Sequence, residues 1–196
     1  MSSSINDFKS AIIRNGGIAK PNRFYVTFAS LPGSGSGTST RDIPYLCESA
    51  SLPGKQITTL DYDIGTRRPL KIPTGYIEDD ITMTFIATNN NFIKNAMEKW
   101  MQKIINVDSY LLTSNYSDYK TEINITQLKE DNTVVQTVTL EGAYPITINS
   151  VELDNNSEST IQKVTVVFTY DKIKTGSTSA INYTGDINFN SNSRVV

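Results

Sequence analysis

The sequence predicts a mainly β protein: a small antiparallel β-sandwich or barrel with one flanking α-helix, a long hairpin arm, and N- and C-terminal extensions. Three observations predict it. Several stretches alternate apolar and polar residues with a period of two, most fully between Val134 and Asp171, and that period turns one apolar face inward. One stretch, Phe92 to Asn106, spaces its apolar residues three and four apart, as a helix face requires. Ser, Thr and Asn make up nearly a third of the chain, which favours strands and turns over helix. With 196 residues, 38% of them hydrophobic, the chain can bury one substantial core. A single domain is expected over 1–172, with the arm at about 55–76 and the helix at about 92–106, followed by a C-terminal tail or arm over 173–196.

In chain order, Phe8 to Arg14 reads as a short helix behind the capping residues Asn6 and Asp7, stopped by Gly16 and Gly17. Arg23 to Ser30 alternates Phe24, Val26 and Phe28 against Tyr25, Thr27 and Ala29, the first core strand. The Gly/Ser-rich segment from Leu31 to Thr40 lacks the Gly-Lys-Ser/Thr ending of a phosphate loop, so it reads as an exposed connection. Tyr45 to Ser51 resumes a strand, ended by Leu52-Pro53-Gly54. From Lys55 to Tyr76, strand-forming residues are interrupted by Gly65, Pro69, Pro73 and Gly75. Such a stretch suits an arm better than a closed core, and a two-stranded arm alone is marginal in water, so it is expected to dock on another subunit. Asp80 to Thr88 is another core strand. Asn89-Asn90-Asn91 is expected to supply the N-cap of the long helix, where Trp100 is placed to cover the end of the sheet. Thr121 to Leu128 is the next strand, and Val134 to Asp171 reads as three strands, the first broken at Gly142-Ala143-Tyr144-Pro145 and the second running from Ile146 to Leu153. Beyond Asp171 the pattern thins into a tail or an arm laid on a neighbour.

Composition excludes most chemistry. The chain has no histidine and one cysteine, Cys47, which removes the commonest general base, the usual nucleophile triads, disulfides and thiolate metal sites. Carboxylates cluster at Asp61 and Asp63, at Glu78, Asp79 and Asp80, and at Glu130 and Asp131, each beside turn residues where capping accounts for them. No catalytic residue, cofactor or metal is expected. A net charge of −2 with a pI near 5.2 argues against a polyanion grip driven by counterion release. The apolar runs are too short to span a bilayer, and the first residues lack the pattern of a signal peptide, so the expectation is a soluble chain made in a cytoplasm.

In order and spacing, several pieces resemble the tail-tube protein of contractile-tailed, T-even-like bacteriophages: Ala19 to Val26, Cys47 to Gly54, Ile81 to Phe85 leading into a helix that ends Met97-Glu98-Lys99-Trp100, Leu140 to Pro145, and the strand from Val164 to Asp171. Together they cover about residues 5–172. The resemblance implies hexameric rings that stack into a hollow inner tube within a contractile sheath, a conduit through which DNA passes without specific binding. The partners it implies are further copies of the chain, the sheath protein, and baseplate and tail terminator proteins, in a virion tail assembled in host cytoplasm. It places inter-subunit contacts on Ile57, Leu60, Tyr62, Ile64, Arg67, Leu70 and Ile72 of the arm, with the segment from Ile5 to Ile13 also reaching a neighbour. Thr137, Thr139, Glu141, Thr165 and Thr169 are candidates to line the lumen. The insertion after Leu31 and the tail beyond Lys172 are longer than the family's pattern, so a tube subunit and a tube initiator or terminator ring both stand, as does the inner tube of a related contractile injection system. A carbohydrate-binding β-sandwich using the tyrosines, and a glycosidase using the acidic pairs, are the readings from other classes.

Overall fold

The computed structural model describes residues 4–33, 40–62, 65, 70–106, 111–112, 115–151 and 160–177. Its elements are α1 (Ile5–Arg14), β1 (Phe24–Phe28), α2 (Ile43–Leu46), β2 (Cys47–Ala50), β3 (Lys55–Tyr62), β4 (Leu70–Glu78), β5 (Ile81–Ile86), α3 (Phe92–Ile104), β6 (Thr121–Leu128), β7 (Val134–Ile148), β8 (Lys163–Thr169) and β9 (Lys172–Ser177).

Seven strands form one continuous antiparallel sheet in the order β1-β6-β7-β8-β5-β2, with β9 also paired to β7. That sheet folds into two facing layers. Gln136 to Glu141 of β7 pairs with β6 on one side and β9 on the other, whereas Tyr144 to Ile148 pairs with β8. The first layer is therefore β1, β6, lower β7 and β9; the second is upper β7, β8, β5 and β2. Phe28 of the first layer meets Phe168 and Phe85 of the second at ring-centroid distances of 5.8 and 6.5 Å. The core lies between them, lined by Val26, Ile123, Ile125, Val138 and Leu140 from one side and Ile81, Met83, Phe85, Val164 and Val166 from the other. Helix α3 closes the sandwich with Ile93, Met97 and Trp100, which are almost fully buried. The Trp100 ring packs 6.1 Å from Phe168 and its Nε1–H donates to Tyr119 O at 2.6 Å.

Four sequence expectations are corrected. The chain does not break at Gly142 to Pro145; β7 is a single strand of 15 residues. Gly142, at φ 68°, absorbs the bend as an extra residue between the pairs Ile123↔Leu140 and Thr121↔Ala143, a bulge that only glycine accepts easily. Pro145 is tolerated because upper β7 is the edge of its layer, where a missing N–H leaves no ladder incomplete. The tail expected from residue 173 begins as strand β9 instead, since Ile173 pairs with the core residue Leu140 while Lys172 and Lys174 point outward. The strand expected from Tyr45 starts only at Cys47, because Ile43 to Leu46 makes one helical turn opened by Pro44. At the start of α3, Asn91 is left-handed and makes no side-chain cap; Thr88 Oγ1 accepts from Phe92 N–H at 3.3 Å in its place. The end of the strand expected as far as Leu153, the Gly/Ser segment over 34–39 and the residues after 177 lie outside the described residues.

Candidate assembly surfaces

Among the described residues no group of three or more Cys, Asp or Glu side chains is placed to hold a metal ion. Burial pushes the Cys47 thiol up to about 12, and a backbone hydrogen bond at Ser49 lowers it only in part. A thiol held that high stays protonated and inert near neutral pH. What the structure offers instead is surface for contact.

The arm is the clearest such surface. Strands β3 and β4 form their own two-stranded sheet, joined to the body at its root. There Asp79 N–H donates to Gly54 O at 3.2 Å, Lys55 pairs with Glu78 at 3.5 Å, and the Tyr170 hydroxyl of the body donates to Asp79 O at 2.8 Å. Burial, then the charges of Glu78, Asp80 and Asp79, push Tyr170 up to about 12, so it remains a donor. A Cβ at Gly54 would stand 2.5 Å from the Asp79 carboxylate oxygen, which would have to turn aside. Beyond the root no described residue buries the arm's apolar side chains: Ile57 is 67% exposed, Leu60 58%, Tyr62 52%, Leu70 57% and Ile72 40%. Ile64 and Arg67 lie outside the described residues. Sequence reasoning missed Tyr76 and Ile77, both exposed. Pairing the hairpin residue by residue would have found Tyr76, which stands opposite Ile57.

The five residues named as lumen candidates fall on two faces. Thr137, Thr139 and Glu141 lie on the outside of the first layer, alternating with the buried Val138 and Leu140. Thr137 and Thr126 hydroxyls meet at 3.4 Å, the Thr139 hydroxyl donates to Asn124 Oδ1 at 2.6 Å, and Glu141 pairs with Lys174 of β9. Thr165 and Thr169 lie on the outside of the second layer, alternating with Val164, Val166 and Phe168; Thr165 meets the Thr84 hydroxyl at 3.3 Å. Because the two layers face each other across the core, their outer faces point in opposite directions.

Helix α1 is a further uncovered element. It opens with a capping box, Ser4 accepting from Asn6 N–H while Asp7 accepts from Ser4 N–H, yet buries none of its residues, leaving Ile5 69%, Phe8 65% and Ile13 77% exposed. The two ends of the sheet approach each other without pairing. Between β1 and β2 lies an open cleft of about 550 Å³, lined by Phe24, Ala50, Leu52 and Ile125 together with Lys20, Arg23 and Glu48.

A family model described as phage tail tube protein matches residues 19–175. The tail tube protein of Serratia phage KSP90 is 28% identical over 167 residues, covering 85% of this chain and 94% of that protein. Among solved structures, a chain of the anti-feeding prophage baseplate superposes with a TM-score of 0.60 at 14% identity, over 84% of this chain and 99% of its own. A chain of the PVC sheath–tube complex, an extracellular contractile injection system in the extended state, gives 0.59 at 17% identity, over 90% and 100%. The tube-terminating cap of the anti-feeding prophage gives 0.59 at 21% identity, over 82% and 92%. These structural likenesses establish a shared fold.

Proposed function

The chain belongs to the phage tail tube protein family, and on that premise we propose that its copies form hexameric rings that stack into the inner tube of a contractile tail. It is a structural protein of the virion tail, and no catalytic step is assigned to it. The observation that carries self-assembly is the arm, whose apolar side chains at Ile57, Leu60, Tyr62, Leu70 and Ile72 stand exposed. Large apolar surface that a monomer leaves open marks a contact site. Its contacts would run through Ile57, Leu60, Tyr62, Leu70 and Ile72, with Ile64 and Arg67 between them, and helix α1 would reach a neighbour through Ile5 and Phe8.

The first layer is the one suited to line the channel. Its outer strands, β1 and β9, carry ladder partners on one side only, so the layer can continue into a neighbour on either hand. Its outer face carries Thr27, Asn124, Thr126, Thr137 and Thr139 with Tyr25, and its charges balance as Glu122 and Glu141 against Lys172 and Lys174, the last paired with Glu141. A lining of this kind does not hold phosphates by Coulomb attraction, so DNA would pass without being bound. Thr137, Thr139 and Glu141 are thus the lumen residues, while Thr165 and Thr169, on the opposite face, would turn toward the sheath. Baseplate and terminator proteins would meet the ends of the stack.

The fold matches a chain of a tube-terminating cap as well as it matches a chain of a sheath–tube complex, so a ring at the end of the tube is the second reading. Negative-stain microscopy of the purified chain separates the two. Open-ended tubes with six-fold cross-section are expected; isolated rings would favour the end-ring role, and a monomer at high concentration would contradict both.

A further inference from the structure

Resting on the reading that the arm serves assembly, we infer that Tyr170 is a positioning residue: its hydroxyl fixes the direction in which the arm leaves the body, so the hairpin is aimed in the free chain. Asp79 is the junction. Its N–H donates to Gly54 O at 3.2 Å, joining the two strands at the root of the arm. Its C=O accepts from the Tyr170 hydroxyl at 2.8 Å, a bond that crosses from the body. One residue is thus held by the arm on its amide side and by the body on its carbonyl side.

The ladder on either side of this junction is interrupted. The last tie on the body side is between Ser51 and Thr82, where Ser51 N–H donates to Thr82 O at 2.9 Å and Thr82 N–H donates to Ser51 Oγ at 2.8 Å. Between that tie and the Gly54–Asp79 bond lie Leu52 and Pro53 on one side and Asp80 and Ile81 on the other. Ile81 is fully buried and paired with Phe168, so it belongs to the body. Leu52, Pro53 and Asp80 belong to no strand, and β3 and β4 pair only with each other. A few residues at the ends of elements are where a ribbon swings. The Tyr170 hydroxyl spans that break.

Tyr170 is itself held firmly. Thr169 before it pairs with Tyr144 of β7. Asp171 after it donates its N–H to Glu141 O at 3.0 Å, and its carboxylate accepts from Lys120 Nζ at 2.6 Å and from the Tyr116 hydroxyl at 2.8 Å. The Tyr170 ring packs against the core. A hairpin held in one direction loses less freedom when it docks, which strengthens each contact it makes.

Tyr170→Phe in the full chain keeps the ring and removes the bond. Nitroxide labels on Asp61→Cys, in the outer arm, and on Gln102→Cys, on the exposed side of α3, report the direction of the arm in the dispersed protein, with Cys47→Ala removing the native thiol. Pulsed electron resonance should give a narrow spread of label separations, and Tyr170→Phe should at least double its width while the melting of the body stays unchanged. Without labels, Tyr170→Phe should need roughly fivefold more protein to polymerise, the effect of one hydrogen bond. Equal widths would overturn the inference and leave the tube reading standing. A fall in melting without broadening would assign Tyr170 to packing and overturn it as well, and broadening with unchanged polymer would overturn the role in assembly. A wild-type chain that never polymerises removes the tube reading, while the widths still decide whether Tyr170 aims the arm.

Discussion

Body and arm are built from the same kind of strand and differ in what covers them. In β5 the pattern Ile81, Met83, Phe85 is wholly buried against the facing layer; in β3 and β4 the corresponding apolar residues stand in water. The body therefore stabilises itself, while the arm leaves its apolar side chains exposed. The difference teaches that an alternating pattern identifies a strand without identifying its cover, and that substitutions in the two regions should fail in different assays.

The largest effect on stability belongs to the body. Trp100→Ala removes the ring that closes the sandwich together with its hydrogen bond to Tyr119 O, and should lower unfolding free energy by about 4 kcal/mol, measured by denaturant titration. Next is Gly142→Ala. At φ 68° an added Cβ would stand 2.1 Å from Asp171 Oδ2, so a loss of about 2–3 kcal/mol is expected, read as a fall in melting temperature. Third is Lys120→Met. The Lys120 amine, with its side chain 8% exposed, lies 2.6 Å from both Asp171 oxygens and over the Tyr116 ring, and its loss should cost about 2 kcal/mol.

The same cluster has a pH signature. Burial raises the Asp171 carboxyl, but hydrogen bonds from Lys120 and Tyr116 and the lysine charge outweigh it and hold the group below the usual carboxylate range. A depressed carboxylate contributes stability above its unfolded pKa and loses it as pH falls through the folded one. Wild-type stability should thus drop in acid below the ordinary range, and Lys120→Met should flatten that drop. The smallest effect on stability is at the arm, where Leu60→Thr with Ile72→Thr should leave the melting of the body within about 0.5 kcal/mol of wild type while abolishing polymer.

Much of this division was legible in the residues. Alternation located β1, β5, β6 and β8, helical spacing located α3, and the prolines and glycines between Lys55 and Tyr76 marked the arm as something outside the core. What was not legible depends on long-range pairing. Gly142 and Pro145 look locally like a strand break, and only a neighbour on each side shows that the chain crosses from one layer to the other. Lys172 to Ser177 looks like tail until Ile173 finds Leu140. The lumen candidates rest on alternation within each strand, which cannot tell that Thr139 and Thr165 belong to opposite outer faces.

The contrast between a covered body and an uncovered arm is tested most directly by amide hydrogen exchange of the dispersed chain and of the sedimented polymer. Protection in β5 and β8 should be high in both states, whereas amides of Lys55–Tyr62 and Leu70–Glu78 should exchange quickly in the dispersed chain and become protected on assembly. Arm amides that exchange equally in the two states would contradict the account.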